Sequence, residues 1–288
     1  MSRVSFVLLL AALSAPAVRE GTARSADGVP IHYAVTGAGE PALVFVHGWA
    51  IDSRYWDAQV PVFARTHRVV TLDLAGHGRS GSERKDWTVA AFAQDVRAVV
   101  EALGLKTVVL VGHSMSGNVI LEAASLLPGR VVGLVPVDTL LDVDQQIREE
   151  EVARFLAALR ADYRGTTRGF SQQYLFAEKG DPAFAEKVLA DIFTLPPETS
   201  IAILQGSWGY DPRPRLREIH VPIVAVNADK FPTRLDHARQ YAPQFDAVIV
   251  KGVGHYLMRE DPAAFNAQLA RAVARVIGNA SSLRPHPR

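Results

Sequence analysis

Short, continuous apolar runs recur along this chain, separated by amphipathic stretches, and that rhythm constrains its fold more than any other feature. Ala42–Val46, Arg68–Leu72, Thr107–Val111, Val131–Val137, Pro222–Val226 and Ala247–Val250 are runs of this kind. Runs without polar alternation mark strands buried on both faces, whereas Ile31–Val35 alternates and reads as an early strand with one wet face. Between the runs lie helical patterns. Thr88–Leu103 sets Val89, Phe92, Val96, Val99 and Val100 on one stripe, with Thr88 placed to cap it and Gly104 to stop it. Asn118–Leu127 and Pro262–Ile277 follow the same logic. Strands alternating with helices predict an α/β fold, a mostly parallel open sheet with helices on both faces.

Residues 141–214 break the rhythm. Val152–Leu159, Phe184–Ile192 and Thr199–Trp208 are helical in pattern, prolines punctuate the stretch, and no strand pattern occurs in it. This predicts a helical cap insertion between core segments 18–140 and 215–288. It would cover the carboxyl ends of the strands, where open α/β sheets bind ligands. A separately folding domain is the weaker reading, because short helices over so few residues make a thin core.

Composition excludes several function classes. The 31 basic and 30 acidic residues are scattered, with no Lys/Arg block, so there is no electrostatic footprint for nucleic acid. Cysteine is absent, which removes disulfides, thiolate metal sites and a cysteine nucleophile. Asp142 and Asp144 lack a histidine-rich partner, Glu149-Glu150-Glu151 reads as a solvated helix face, and no phosphate-loop motif occurs. No cofactor and no metal are therefore expected. At the start, Arg3 precedes the apolar run Val4–Leu13 and then Ala15-Pro16-Ala17. That layout predicts a signal peptide over residues 1–17 and export of the mature chain. The run is too short to span a bilayer, and a frayed tail or misassigned start is the alternative.

Chemistry concentrates at Gly112-His113-Ser114-Met115-Ser116-Gly117, between a buried strand and a helix. A serine at such a turn is held in a strained conformation that exposes its Oγ, and its neighbours two residues away must be small. Gly112 and Ser116 satisfy this for Ser114. Ser116 departs from the usual glycine and predicts a more crowded elbow. Three further loops each follow an apolar run: His47-Gly48-Trp49, Asp73 to Ser80 with Gly76-His77-Gly78, and Gly252-Val253-Gly254-His255 followed by Glu260-Asp261-Pro262. In this order, the four motifs resemble the α/β-hydrolase family over nearly everything after the leader.

The resemblance implies an acyl-transfer site. Ser114 is the nucleophile and His255 the base, alone among nine histidines in completing a late Gly-x-Gly-His turn. Two backbone amides must aim at one oxyanion: Met115, which follows the nucleophile, and Trp49, from the loop after His47-Gly48. Asp229, after the next-to-last strand, is the preferred acid, with Asp138 after the preceding strand as the alternative. Asn227-Ala228-Asp229 lacks the glycine common at that turn. A serine at the elbow, where dehalogenases and epoxide hydrolases need aspartate, directs the chemistry to acyl transfer. The expected substrate is a small carboxylic ester, thioester or lactone. Carbon–carbon bond hydrolysis, with Arg164, Arg168 or Arg234 as a carboxylate anchor, and perhydrolase or haloperoxidase activity use the same triad. A receptor with little turnover is the alternative of another class. Oligomeric state is left open.

Overall fold

The structure is a computed structural model that describes residues 17–145 and 147–283, so the expected leader up to Pro16 lies outside it. Its strands are β1 (Arg19–Arg24), β2 (Pro30–Thr36), β3 (Ala42–Val46), β4 (Val69–Leu72), β5 (Val108–His113), β6 (Val131–Val137), β7 (Ile223–Ala228) and β8 (Phe245–Val250). They form one sheet in the order β1-β2-β4-β3-β5-β6-β7-β8. β1 and β2 pair antiparallel, as do β2 and β4, and every pairing from β4 through β8 is parallel.

The seven runs read from the sequence are strands. β1 was not expected, because it carries almost no apolar signal: it is an edge strand with sequence Arg-Glu-Gly-Thr-Ala-Arg, and only Ala23 is buried. Central strands behave differently. Every residue of β3, β4 and β5 is buried, as continuous apolar runs require.

The helices of the core are α1 (Val60–Phe63), α2 (Val89–Ala102) and α3 (Ser116–Leu126). Thr88 Oγ1 accepts the Ala91 amide at 3.2 Å and starts α2, and Gly104 at φ +58° follows its end. After β6 come α4 (Glu149–Ala161), α5 (Tyr163–Phe170), a π-helical turn (Ser171–Leu175), α6 (Pro182–Ile192) and α7 (Pro197–Ser207), with no strand among the described residues before β7. Then follow α8 (Arg213–Glu218), α9 (Leu235–Tyr241), α10 (Leu257–Glu260) and α11 (Pro262–Leu283). α5 and the π turn were not legible in the sequence, since Gly165 and Gly169 weaken the helical pattern.

Two glycines show how the layers close. A Cβ at Gly112 of β5 would meet Ile120 of α3 at 2.9 Å, and one at Gly133 of β6 would meet Val276 of α11 at 2.5 Å. Val109 of β5 is in register with Gly133, and side chains alternate along β5, so Gly112 faces the other way. α3 and α11 therefore cover opposite faces of the sheet. The sheet order also reverses between β3 and β5: the chain leaves β3 for β4 on one side and returns to β5 on the other. Such a switch point opens a crevice at the carboxyl ends of the two strands. No helix among the described residues is long and apolar enough to cross a membrane.

Candidate active site

The loops that leave β3 and β5 face each other across this switch point. Ser114 stands directly after β5 at φ +55°, a left-handed conformation costly for a residue with a side chain. Its N–H donates to Val137 O at 2.9 Å, and its carbonyl accepts the Gly117 N–H at 2.9 Å, so strand and helix hold the strained turn from both sides. The turn is as tight as the motif implies. A Cβ at Gly112 would come within 2.3 Å of Ser116 O.

Ser116 does more than fit. It is fully buried, and its Oγ donates a short hydrogen bond to His47 O, which ties the elbow to the loop after β3. Glycine at this position would lack that tie. Gly48 lies on the same seam, where a Cβ would meet His113 Nδ1 at 2.8 Å and Ser114 Cβ at 3.1 Å.

The loop after β3 is fixed by two buried histidines. His47 Nδ1 donates to Gly48 O at 2.8 Å, while its Nε2 accepts the Leu74 N–H at 3.0 Å. His77 Nδ1 donates to Ala75 O at 3.0 Å, and its Nε2 accepts the Ala50 N–H at 3.2 Å. Both patterns need neutral rings, and burial provides them: it lowers the pKa of His47 and pushes that of His77 down to about 3. Trp49 in this loop donates its Nε1–H to Ser200 O of α7 at 3.0 Å. Among the described residues, the main-chain N–H groups of Trp49 and Met115 have no protein acceptor. Two free amides beside a strained serine can receive a developing oxyanion.

His255 follows β8, with its N–H donating to Leu175 O at 2.7 Å. Its Nδ1 lies 2.6 Å from Asp138 Oδ2, and both side chains are nearly buried. Of the two candidate acids, the structure therefore places Asp138, the alternative, and not Asp229 beside His255. Asp229 is exposed, and its Oδ1 accepts the Gly252 N–H at 2.8 Å, closing the turn where Gly252 adopts φ +74°. Asp138 sits at φ +46° after β6, and its other oxygen accepts the Ala228 N–H at 2.8 Å. The Thr139 N–H donates to buried Asn227 Oδ1 at 3.3 Å. The Asn227-Ala228 segment thus seats Asp138 and does not present Asp229.

Two further residues hold the His255 loop. His113 Nε2 donates to His255 O at 2.9 Å from a fully buried ring whose pKa burial holds far below the ordinary histidine range. Glu260 accepts the Gly254 N–H at 2.7 Å and the Tyr256 N–H at 3.1 Å, bracketing His255, and burial raises its pKa. In the sequence, His113 appears only as part of the elbow motif and Glu260 only as part of the loop after His255. The signal available was a carboxylate five residues beyond the histidine, within reach of the loop's own amides.

Ser114, Met115, Trp49, Asp138 and His255 all line one cavity of about 320 Å³. Its roof comes from the helices between β6 and β7, chiefly Phe155, Phe170 and Trp208, whose rings meet at centroid distances of 4.6 to 5.8 Å. The three arginines considered as anchors lie elsewhere. Arg164 stacks 4.6 Å above the Phe193 ring, Arg168 pairs with Glu186, and Arg234 pairs with Asp236 at 3.0 Å. Among the described residues, no group of three or more His, Asp or Glu is arranged to hold a metal ion.

Over 252 residues the chain is 29% identical to the pimeloyl-[acyl-carrier protein] methyl ester esterase of Edwardsiella ictaluri, covering 81% of this chain and 93% of that one. It is 26% identical over 206 residues to the Karrikin insensitive 2 receptor CA of Petunia hybrida, covering 68% and 76%. The solved bromoperoxidase from Bacillus anthracis matches with a TM-score of 0.77 at 21% identity, covering 88% and 99%, a likeness of fold. The profile of the alpha/beta hydrolase family matches residues 43–268. The chain belongs to the alpha/beta hydrolase family and is a hydrolase.

Proposed function

We propose that this protein is a serine hydrolase that cleaves small carboxylic esters, thioesters or lactones through an acyl-enzyme. The observation that carries this reading is the 2.6 Å pair between His255 and Asp138, facing the same cavity as the strained Ser114 and two free amides. His255 takes the Ser114 Oγ proton through Nε2 as the oxygen attacks the acyl carbon. Asp138 holds Nδ1–H, fixing the tautomer and stabilising the imidazolium. The Trp49 and Met115 amides receive the oxyanion, and the proton passes from His255 to the departing alcohol or thiol. Water then repeats the sequence on the acyl-enzyme. The helices of 141–214 act as the cap that selects the acyl or alcohol group.

The esterase relative from Edwardsiella ictaluri supports ester chemistry, though its substrate stays its own. The carbon–carbon hydrolase alternative loses its motive, since none of Arg164, Arg168 and Arg234 lines the cavity. A second reading, a ligand receptor with little turnover, is favoured by the receptor relative from Petunia hybrida.

Kinetics on p-nitrophenyl esters from acetate to octanoate, run with and without peroxide, test the proposal. Turnover without peroxide is expected, and Ser114→Ala should lower it by about 10⁴- to 10⁶-fold in a folded protein. Activity only with peroxide would favour the perhydrolase alternative. A single slow turnover per molecule would favour the receptor.

A further inference from the structure

The cavity roof contains one group that an apolar pocket does not explain. Thr167, on α5, is 1% exposed and lines the cavity, and its Oγ1 has no hydrogen-bond partner. A helical threonine ordinarily satisfies its hydroxyl on the carbonyl one turn back, and Thr167 does not. A buried hydroxyl without a partner costs stability unless something else completes it. On the core side, Asn118, one turn beyond Ser114 on α3, also lines the cavity with a buried, unpartnered Oδ1. The rest of the roof is aromatic and aliphatic apart from Ser207, whose hydroxyl is already spent on Ile203 O at 2.7 Å.

We infer that Thr167 is a specificity residue that hydrogen-bonds a neutral polar group (a ketone, hydroxyl or amide) carried by the non-reacting part of an otherwise apolar ester or lactone. The inference rests on the ester-hydrolase reading of the same cavity. Charge narrows the class of substituent. Among the described residues, no lysine or arginine lines the cavity, and Asp138 is committed to His255 and the Ala228 amide. A carboxylate on the substrate would be buried without a counterion, whereas a neutral group needs only the hydroxyl. The Phe155, Phe170 and Trp208 rings would hold the apolar remainder. A hydroxyl can donate or accept, so Thr167 can serve a carbonyl or a hydroxyl equally.

The test is a ketone scan. Wild-type protein is assayed on p-nitrophenyl hexanoate through nonanoate and on matched esters in which one chain methylene is a ketone, moved along the chain. A terminal carboxylate serves as the charged counterpart. At one ketone position kcat/KM should exceed that of the parent ester by about tenfold, and the carboxylate should be the poorest of its set. Thr167→Val should bring the ketone-to-parent ratio to one or below, and Thr167→Ser should preserve it. That ratio is internal to each enzyme, and the wild-type scan decides even where a variant fails to fold. Preference for the parent ester at every position, or an unchanged ratio in Thr167→Val, overturns the role of Thr167 and leaves the esterase standing. Hydrolysis of no ester at all overturns both.

Discussion

At the residue scale, the division of labour between the two aspartates follows from backbone conformation. Asp138 leaves β6 in a left-handed turn, with one oxygen on the Ala228 amide and the other on His255. Asp229 leaves β7 toward solvent and spends its carboxylate on Gly252. Asp138→Asn should therefore lower kcat by about 10³- to 10⁴-fold by presenting the wrong partner to Nδ1–H. Asp229→Asn should leave turnover near that of the parent, and steady-state kinetics on one ester compares the two. Ser116→Ala removes the tie to His47 O and should cost about 1 kcal/mol in denaturant unfolding. It should also lower kcat more than it raises KM, because the loop bearing Trp49 loses its anchor. Ser114 and His255 were legible in the sequence because each occupies a loop whose glycines announce a special turn. The carboxylate that pairs with His255 was not, since both aspartates follow buried strands and only φ and the partner amides distinguish them.

At the element scale, the π turn is where the helices above the site touch the His255 loop. Leu175 O accepts the His255 amide, Lys230 Nζ donates to Phe176 O at 2.7 Å, and a Cβ at Gly254 would come within 2.5 Å of Leu175 O. π turns are uncommon and concentrate at functional sites, as here. Gly254→Ala should push this turn away from His255, lowering kcat and loosening discrimination among acyl lengths in the same variant. Trp208→Ala opens the roof and should shift the preferred p-nitrophenyl ester to a longer acyl chain. An unshifted optimum would show that the acyl group lies elsewhere. The strands were readable because burial on both faces leaves long apolar runs. β1, α5 and the π turn were not: an exposed edge strand carries no such run, and two glycines obscure a helix held by its neighbours.

At the scale of the whole molecule, the switch point between β3 and β5 gathers the site. It brings the loop carrying Trp49 opposite Ser114, while β6 and β8 deliver Asp138 and His255. The same geometry buries His47, His77 and His113 as neutral rings with pKa values below the ordinary 6.5. The unfolded chain binds these protons first, so their contribution to stability is full above about 6.5 and is lost as pH falls toward the folded values. Below 6.5 each ring therefore weakens the fold as pH falls, and the loss continues furthest for a ring such as His77, whose folded value lies near 3. Thermal unfolding should therefore weaken clearly between pH 7.5 and 5.5, and a flat profile would contradict neutral burial. Whether Ser114 is an activated nucleophile is read by labelling the folded protein with a fluorophosphonate and locating the adduct by peptide mass spectrometry. One adduct per chain on the Ser114 peptide, strongly diminished in His255→Ala, is the predicted result; a folded protein left unlabelled, or labelled at another residue, would contradict it.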